Sequence, residues 1–451
     1  MTPTVIELEI DDLAFDGKSV GKLDGKVVFC NGGLPGERVL AEITRNKPRY
    51  CQAKVTKILR KSDLRIEARC DHFDICGGCT WQDLAYEQQL RYKKDQVVQC
   101  LSKLGKLPSV VVHDVIGSPD QFSYRNKMEF SFNTSDHGGF SLGLHERGRW
   151  DSIFDLGRCH LTSPVVNELV AWMREYVAAN GLSVYDVATH EGYMRFLVVR
   201  EGINTGRILV NVVTNYGEFP LADKLVHGLT TRFESVATIV HNQNGRKSNI
   251  AAGEIETVLY GPGYVEERLG RFVFRIRANS FFQTNTRQAE RLYEIGFDML
   301  QPTGSERLLD LYCGTGSIGI LASERVQSVT GVELVPDAVE AARENAAANN
   351  VTNAVFFEGD VKDLLNRLND DDTRYEAVIV DPPRAGLHPK ALRGIVEMAP
   401  ARLLYISCNP ATFARDAALL VAAGWRLPEV RPVDMFPHTM HIELVGLFRR
   451  E

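Results

Sequence analysis

Leu308-Leu309-Asp310-Leu311-Tyr312-Cys313-Gly314-Thr315-Gly316-Ser317-Ile318-Gly319 decides the fold. The apolar run reads as a buried strand over 308–312. The glycines that follow make a turn that opens a helix over 317–323. The same alternation continues outward. Strands are predicted at 328–332, 354–358, 377–381 and 402–407, and helices at 336–349 and 388–398, with a further helix from Gln288 to Leu300 upstream. Short apolar strands alternating with amphipathic helices predict a doubly wound, largely parallel α/β sheet. Such sheets bind ligands beyond the C-terminal ends of their strands. Three predicted strand ends carry special turns: the glycine turn, Asp381-Pro382-Pro383-Arg384 and Ser407-Cys408-Asn409-Pro410.

Each turn suggests chemistry. Glycines permit close approach of the backbone to a ligand. Glu333 ends the next strand, about 20 residues on, where a carboxylate accepts both ribose hydroxyls of a bound nucleoside. Asp360 ends the third strand, in reach of an adenine amine. The loop lacks the third-glycine spacing of a dinucleotide site, and Asp381-Pro-Pro-Arg is foreign to that fold. S-adenosylmethionine, which has no phosphate, fits better. Cys408 is either a small core residue or a nucleophile at a sheet edge, and its neighbouring turns favour the nucleophile.

The chain has 451 residues, room for two or three domains. A hydrophobic content of 44% and a charged content of 24% describe an ordinary globular protein. The N-terminus lacks the basic and apolar regions of a signal peptide, and no apolar run is long enough to span a membrane. Nine cysteines without an export signal favour metal binding or catalysis in the cytoplasm over a disulfide framework. The net charge is −6, but ten Lys/Arg between Arg38 and Arg69 face only Glu42, Asp63 and Glu67. That segment is either a phosphate-binding surface or a solvated strand face.

Residues 1–60 read as a small β-barrel of the oligonucleotide-binding kind, with short strands separated by glycines. The run Phe29-Cys-Asn-Gly-Gly-Leu-Pro-Gly-Glu-Arg-Val39 resembles the TRAM domain, a small RNA-binding barrel. Lys47, Arg49 and Tyr50 supply the charge and aromatic that single-stranded RNA needs. Residues 61–277 read as a mixed α+β central domain with a cysteine cluster. Cys70, Cys76 and Cys79 lie in one tight loop, and Cys159 is the best fourth ligand, ahead of Cys51 and Cys100. Their spacing alone leaves structural zinc and a [4Fe-4S] cluster equally open. Trp81 to Lys103 carries Leu84, Leu90, Val97, Val98 and Leu101 at helical spacing. Tyr124-Arg125-Asn126-Lys127 is either an RNA contact or an ordinary strand end. Residues 278–451 form the Rossmann-like domain.

Six motifs run in order from Ser280 to Glu443: Ser-Phe-Phe-Gln283-Thr-Asn, Asp-Leu-Tyr312-Cys-Gly-Thr-Gly, Gly-Val-Glu333, Asp381-Pro-Pro-Arg384, Ser-Cys408-Asn-Pro and Pro-His-Thr-Met-His441-Ile-Glu443. Together they resemble the uracil-C5 RNA methyltransferase family, in particular its bacterial 23S rRNA branch with a TRAM domain and a [4Fe-4S] cluster. The resemblance implies that Gln283, Tyr312, Glu333 and Asp381, with Asp360, hold S-adenosylmethionine. It also implies that Cys408 is the nucleophile, that Glu443 abstracts a proton, and that the four cysteines hold iron and sulfide. Ser317 departs from the pattern, since relatives often carry Asn there. The expected substrate is 23S rRNA, with no obligate protein partner and no membrane. The alternatives are a tRNA T-loop uridine or a non-catalytic RNA-binding protein. An exocyclic-amine methyltransferase would need an aromatic residue after the two prolines, where Arg384 stands.

Overall fold

The computed structural model describes residues 4–134, 139–370 and 374–450, without the side chains of 366–370. Met1–Pro3 and Glu451, the outermost residues of the expected first and last domains, lie outside them.

The N-terminal strands Val5–Leu13, Ser19–Leu23, Lys26–Asn31, Arg38–Asn46 and Tyr50–Arg60 close into a barrel. Alternate residues point inward, as a half-buried strand requires. Leu8, Ile10, Val28, Cys30, Val39, Ala41, Cys51 and Ala53 form its core. Cys51 is therefore packing, not a metal ligand. Lys54, Lys57, Arg45 and Arg49 face solvent. Arg65 does not: it is spent on Glu37, whose carboxylate also caps the backbone N–H of Leu34, and on Asp83. This buried link ties the barrel to the loop that follows.

The helix Tyr86–Gln99 continues through a wider π turn to Leu104. The apolar positions expected to face inward only partly do so. Val97, Cys100 and Leu101 are buried, yet Val98 is exposed, and Gln89, Lys93 and Gln96 fill the rest of the inner face. The reason is what lies opposite: Gln89 and Lys93 meet a polar loop, residues 434–442, and Gln96 meets the Ala14 carbonyl, all groups that need partners.

The central region is a seven-stranded sheet. Its strands run in the order Ile255–Tyr260, Val236–Gln243, Arg207–Thr214, Met194–Gly202, Lys127–Thr134, Phe140–His145, Ile153–Asp155. Helices Pro164–Ala179 and Ala222–Arg232 pack against it through Leu169, Met173, Leu225 and Leu229.

The C-terminal sheet begins with five parallel strands in the order Ala354–Glu358, Ser328–Glu333, Arg307–Leu311, Ala377–Val380, Arg402–Ser407. The order reverses between Arg307–Leu311 and Ala377–Val380, the switch point where open α/β sheets bind ligands. The sheet then turns antiparallel. Glu443–Arg450 pairs with Arg402–Ser407, and Glu429–Val433 pairs with Glu443–Arg450. Val111–Val112, from far upstream, extends the edge beside Glu429–Val433. Among the described residues no helix is long and apolar enough to cross a membrane.

Candidate active site

The glycine turn stands where the sequence placed it. Tyr312, Gly314 and Gly316 all take left-handed backbone conformations, with φ of 64°, 53° and 80°. For Tyr312 that is uncommon and marks a tightly determined turn. A Cβ on Gly314 would meet nothing within 4 Å, so the turn leaves open space above it. Gly314 N–H donates to Glu333 Oε2 at 3.1 Å, and Leu334 and Val335 N–H donate to Oε1 at 2.8 and 3.0 Å. Exposed Leu334 and Val335 flank that carboxylate, an apolar seat beside a hydroxyl acceptor. Asp360 pairs with Lys362 at 2.7 Å, which holds its carboxyl below the usual range. Burial lifts the Tyr312 phenol to about 12, and Asp360, Asp416 and Glu333 add to the lift. Tyr312, Glu333 and Asp360 thus share one neighbourhood.

Asp310 went unremarked as a functional residue. It is fully buried, no side chain pairs with its carboxylate, and only the Gly319 backbone N–H opposes its rise. Burial and the nearby Asp381 push it up to about 8. Burial alone pushes Asp381 to about 7. Two desolvated acids at a switch point, neither with a cationic side chain beside it, suit a ligand that brings positive charge. The donor set therefore fits S-adenosylmethionine, which carries a sulfonium and an ammonium.

Sheet register brings Cys408 and Glu443 together. Ser407 pairs with Leu444 across the antiparallel strands, so the next step outward sets Cys408 opposite Glu443. Glu443 is only 4% exposed, and burial, then Asp381, holds its carboxyl well above the carboxylate range. The turn after Cys408 is fixed by Asn409, which caps helix Pro410–Ala422 through Ala411 N–H and donates to Arg384 O at 2.9 Å. Arg384 in turn reaches His441 Nδ1 at 3.4 Å. Burial and Arg384 depress His441 to about 4, so it is neutral near pH 7.

Burial, Glu443 and Asp381 raise the Cys408 thiol to about 11, and Arg384 opposes them. The thiolate is the reactive form. In protein free of RNA and methyl donor, alkylation of Cys408 should therefore be slow at neutral pH and rise only in the alkaline range. Asp381→Asn should move the midpoint down and Arg384→Ala should move it up. Peptide mass mapping after iodoacetamide at graded pH reads this. A midpoint at the ordinary thiol value of about 8.5 would contradict it.

Gln283 lies on the segment Ser280–Asn285, which the central sheet grips. Asn126 donates to Gln283 O at 2.9 Å, and Arg200 donates to Ala278 and Ser280 carbonyls. Asn126 is therefore structural, as is Tyr124, buried with its hydroxyl on Pro437 O. Phe282 is buried against Phe274, whereas Phe281 is 67% exposed. Phe281, Arg125 and Lys127 line a cavity of about 540 Å³ that also reaches Thr439 and His441. It stops short of Cys408 and Glu443.

All four expected cysteine ligands line the same cavity. The loop around Cys76 is held by hairpin Phe140–Asp155: Gly77 N–H donates to His145 O, Arg147 N–H to Ile75 O. Cys159 N–H donates to Asn167 Oδ1 at 2.7 Å. Burial, then Cys159, Cys76 and Cys70, pushes Cys79 up to about 12. Among the described residues no three His, Cys, Asp or Glu side chains form a metal-ion site. Loop 434–442 rests on helix Tyr86–Gln99 through a buried Lys93–Asp434 ion pair at 2.6 Å and a Gln89–His438 contact at 3.2 Å. Sequence reasoning missed both; the signal was Gln89, Lys93 and Gln96 at helical spacing.

A glycine turn, a ribose-type carboxylate and buried acids at the switch point define an S-adenosylmethionine-dependent methyltransferase. The comparisons narrow this. Residues 237–451 match the model of the tRNA (uracil-5-)-methyltransferase family, and residues 1–56 match the TRAM domain. An uncharacterized RNA methyltransferase of Caldanaerobacter subterraneus is 38% identical over 99% of both chains. One of Chlorobaculum tepidum is 39% identical over 99% of this chain and 96% of its own. The crystal structure of Pyrococcus abyssi tRNA (uracil-54, C5)-methyltransferase with S-adenosyl-L-homocysteine is 32% identical, with a TM-score of 0.79, covering 98% of this chain and all of that one. The chain belongs to the uracil-5 RNA methyltransferase family, enzymes that use S-adenosylmethionine, and its barrel is a TRAM domain.

Proposed function

We propose that this enzyme forms 5-methyluridine in 23S rRNA, with Cys408 as nucleophile and Glu443 as base. The convergence of Cys408, Glu443, Asp381 and Arg384 carries the reading. When bound, S-adenosylmethionine supplies an electrophilic methyl group. Gln283, Tyr312, Glu333, Asp360 and Asp381 hold it, with Asp310 behind them. C5 of uracil is a poor nucleophile on its own. Addition of the Cys408 thiolate to C6 forms an S–C6 bond and moves an electron pair onto the ring as an enolate, which makes C5 nucleophilic enough to take a methyl group whose bond to the donor sulfonium would break with its electron pair left on sulfur. Glu443 then takes the C5 proton, the C5=C6 bond re-forms and the S–C6 bond breaks. A stacked or paired uridine hides both ring faces, so the target is flipped out or lies in a loop. Phe281 stacks on it at the cavity mouth. The exposed cations of the barrel hold phosphate and position the strand without choosing the base.

The ribosomal target rests on the joint presence of the TRAM domain and the cysteine cavity. A second reading is a tRNA T-loop uridine, favoured by the full-length likeness to the Pyrococcus abyssi enzyme. Mass mapping of 5-methyluridine after incubation with unmodified rRNA and tRNA separates them. Label only in tRNA would overturn the ribosomal reading, and label in neither would overturn the reaction.

We further propose that Cys70, Cys76, Cys79 and Cys159 hold a [4Fe-4S] cluster. Four thiols around one broad cavity suit a polynuclear group better than a single zinc, which draws its sulfurs to about 2.3 Å. Cationic iron would offset the burial that chiefly keeps these thiols protonated, and the mutual repulsion that adds to it. Anaerobically purified protein should be brown and carry acid-labile sulfide. Cys76→Ser should unfold more readily even without oxygen, because ligand binding energy adds to folding energy. Stoichiometric zinc without iron would sink the assignment.

A further inference from the structure

We infer that the cavity beside Trp150 is a second nucleotide station, which takes a base of single-stranded RNA flanking the target uridine. The inference rests on the RNA-methylation reading above and adds a specificity site to it. Three cavities lie along the central sheet, each neighbouring pair sharing lining residues. The cavity beside Phe281 shares Lys127 and Glu129 with a neighbour of about 260 Å³. That neighbour shares Asn249 with a third cavity, of about 580 Å³, lined by Trp150, Tyr185, Arg195 and Lys247. A strand passing Phe281 would meet Lys127 and then Asn249 on the way to Trp150.

The end of the route has the chemistry of a base platform. Trp150 is 71% exposed, whereas Trp81 and Trp425 are fully buried. Lys247 is exposed and has no ion-pair partner among the described residues. Four acids on the surrounding loops are engaged: Glu254 with Arg246, Glu146 and Asp151 with Arg149, Asp186 with Thr134 and two backbone N–H groups. An exposed aromatic with a free cation is what a sequence-tolerant single strand needs.

The site is also built rather than incidental. Arg195 is buried, with its guanidinium 4.1 Å from the centre of the Tyr185 ring. It donates from Nη1 to Asn244 O at 2.5 Å and from Nη2 to Ser248 O at 3.1 Å. Asn244 closes the same loop through Ile250 and Ala252 carbonyls. Lys247 thus rides on a loop fixed at both ends. Trp150 sits at the tip of the hairpin that holds the cysteine loop.

The test compares full-length wild type with Trp150→Ala, Trp150→Phe and Lys247→Ala. The probes are oligouridylates of about three and about twelve nucleotides, the longer within the span of a single-strand site. The longer probe should bind Trp150→Ala roughly ten-fold more weakly, the size of one lost stacked base, and Phe should restore most of it. The short probe should bind all four proteins alike. Tryptophan emission should be quenched by the long probe in wild type and not in Trp150→Phe. Equal affinity of all four proteins for the long probe would overturn the station. So would a loss confined to ribonucleoprotein substrates with naked RNA unaffected, which would make the cavity a protein contact. Binding and quenching are read without turnover. Absence of 5-methyluridine on every RNA would therefore fault the reaction, not the station.

Discussion

Glu443→Gln is expected to leave enzyme, RNA and methyl group covalently joined. The order of events requires it. Cys408 acts before methyl transfer, and Glu443 acts after it, because the C5 proton becomes acidic only once the methyl is attached. Gln keeps the size and hydrogen-bonding capacity of Glu but accepts no proton, so transfer proceeds and elimination stalls. Loss of a positioned base typically costs roughly 10²–10⁴-fold, long enough for the adduct to survive denaturation. On a denaturing gel with methyl-labelled cofactor, a slow band should carry the label. Cys408→Ala should abolish band and product alike, and the double variant should resemble Cys408→Ala. Normal turnover by Glu443→Gln would move the base elsewhere. His441 is the nearest alternative, and its low proton affinity, with burial and Arg384 holding it near 4, makes it a weak one.

Why Cys408 and Glu443 meet was not written locally in the chain. The turns at Gly314, Glu333, Asp381 and Cys408 were legible because each lies at the end of a short apolar strand, and parallel strands all end on one side. Glu443 instead opens the last strand, which runs antiparallel, so its start lies at the end of Arg402–Ser407. Periodicity reports that a strand exists but not its direction. The family motif supplied the residue, and only the register supplied the neighbour. Asp310 shows a second limit. Its place in the motif was visible, yet its isolation depends on burial by distant elements. The cysteines divide in the same way. Cys30 and Cys51 alternate inward with apolar neighbours in the barrel, a pattern readable as packing. Cys159 reaches the loop of Cys70, Cys76 and Cys79 only through the central sheet.

Helix Tyr86–Gln99 was the least legible element, and it carries the second large effect. Lys93 and Asp434 have no exposed side-chain surface, and their 2.6 Å contact is one strand of a closed network. Lys93 Nζ also donates to Phe436 O at 3.2 Å, while Asp434 accepts from Phe436 N–H and the Tyr86 hydroxyl, each at 3.0 Å. Burial lowers the proton affinity of Lys93, and Asp434 partly offsets it. Removing one partner strands the other as a buried, uncompensated charge. Lys93→Met should therefore lower stability by about 3–5 kcal/mol, although Met nearly matches its volume. Pairing it with Asp434→Asn should recover most of that loss, since Asn keeps the oxygen acceptor without the charge. Urea midpoints of the two single variants and the double variant measure the coupling. The same loop carries His441 and leads into Glu443, so kcat of Lys93→Met should fall at temperatures where the protein stays folded. The double variant should regain activity along with stability. Equal losses in Lys93→Met and the double variant would mean that packing, not the stranded charge, sets the cost.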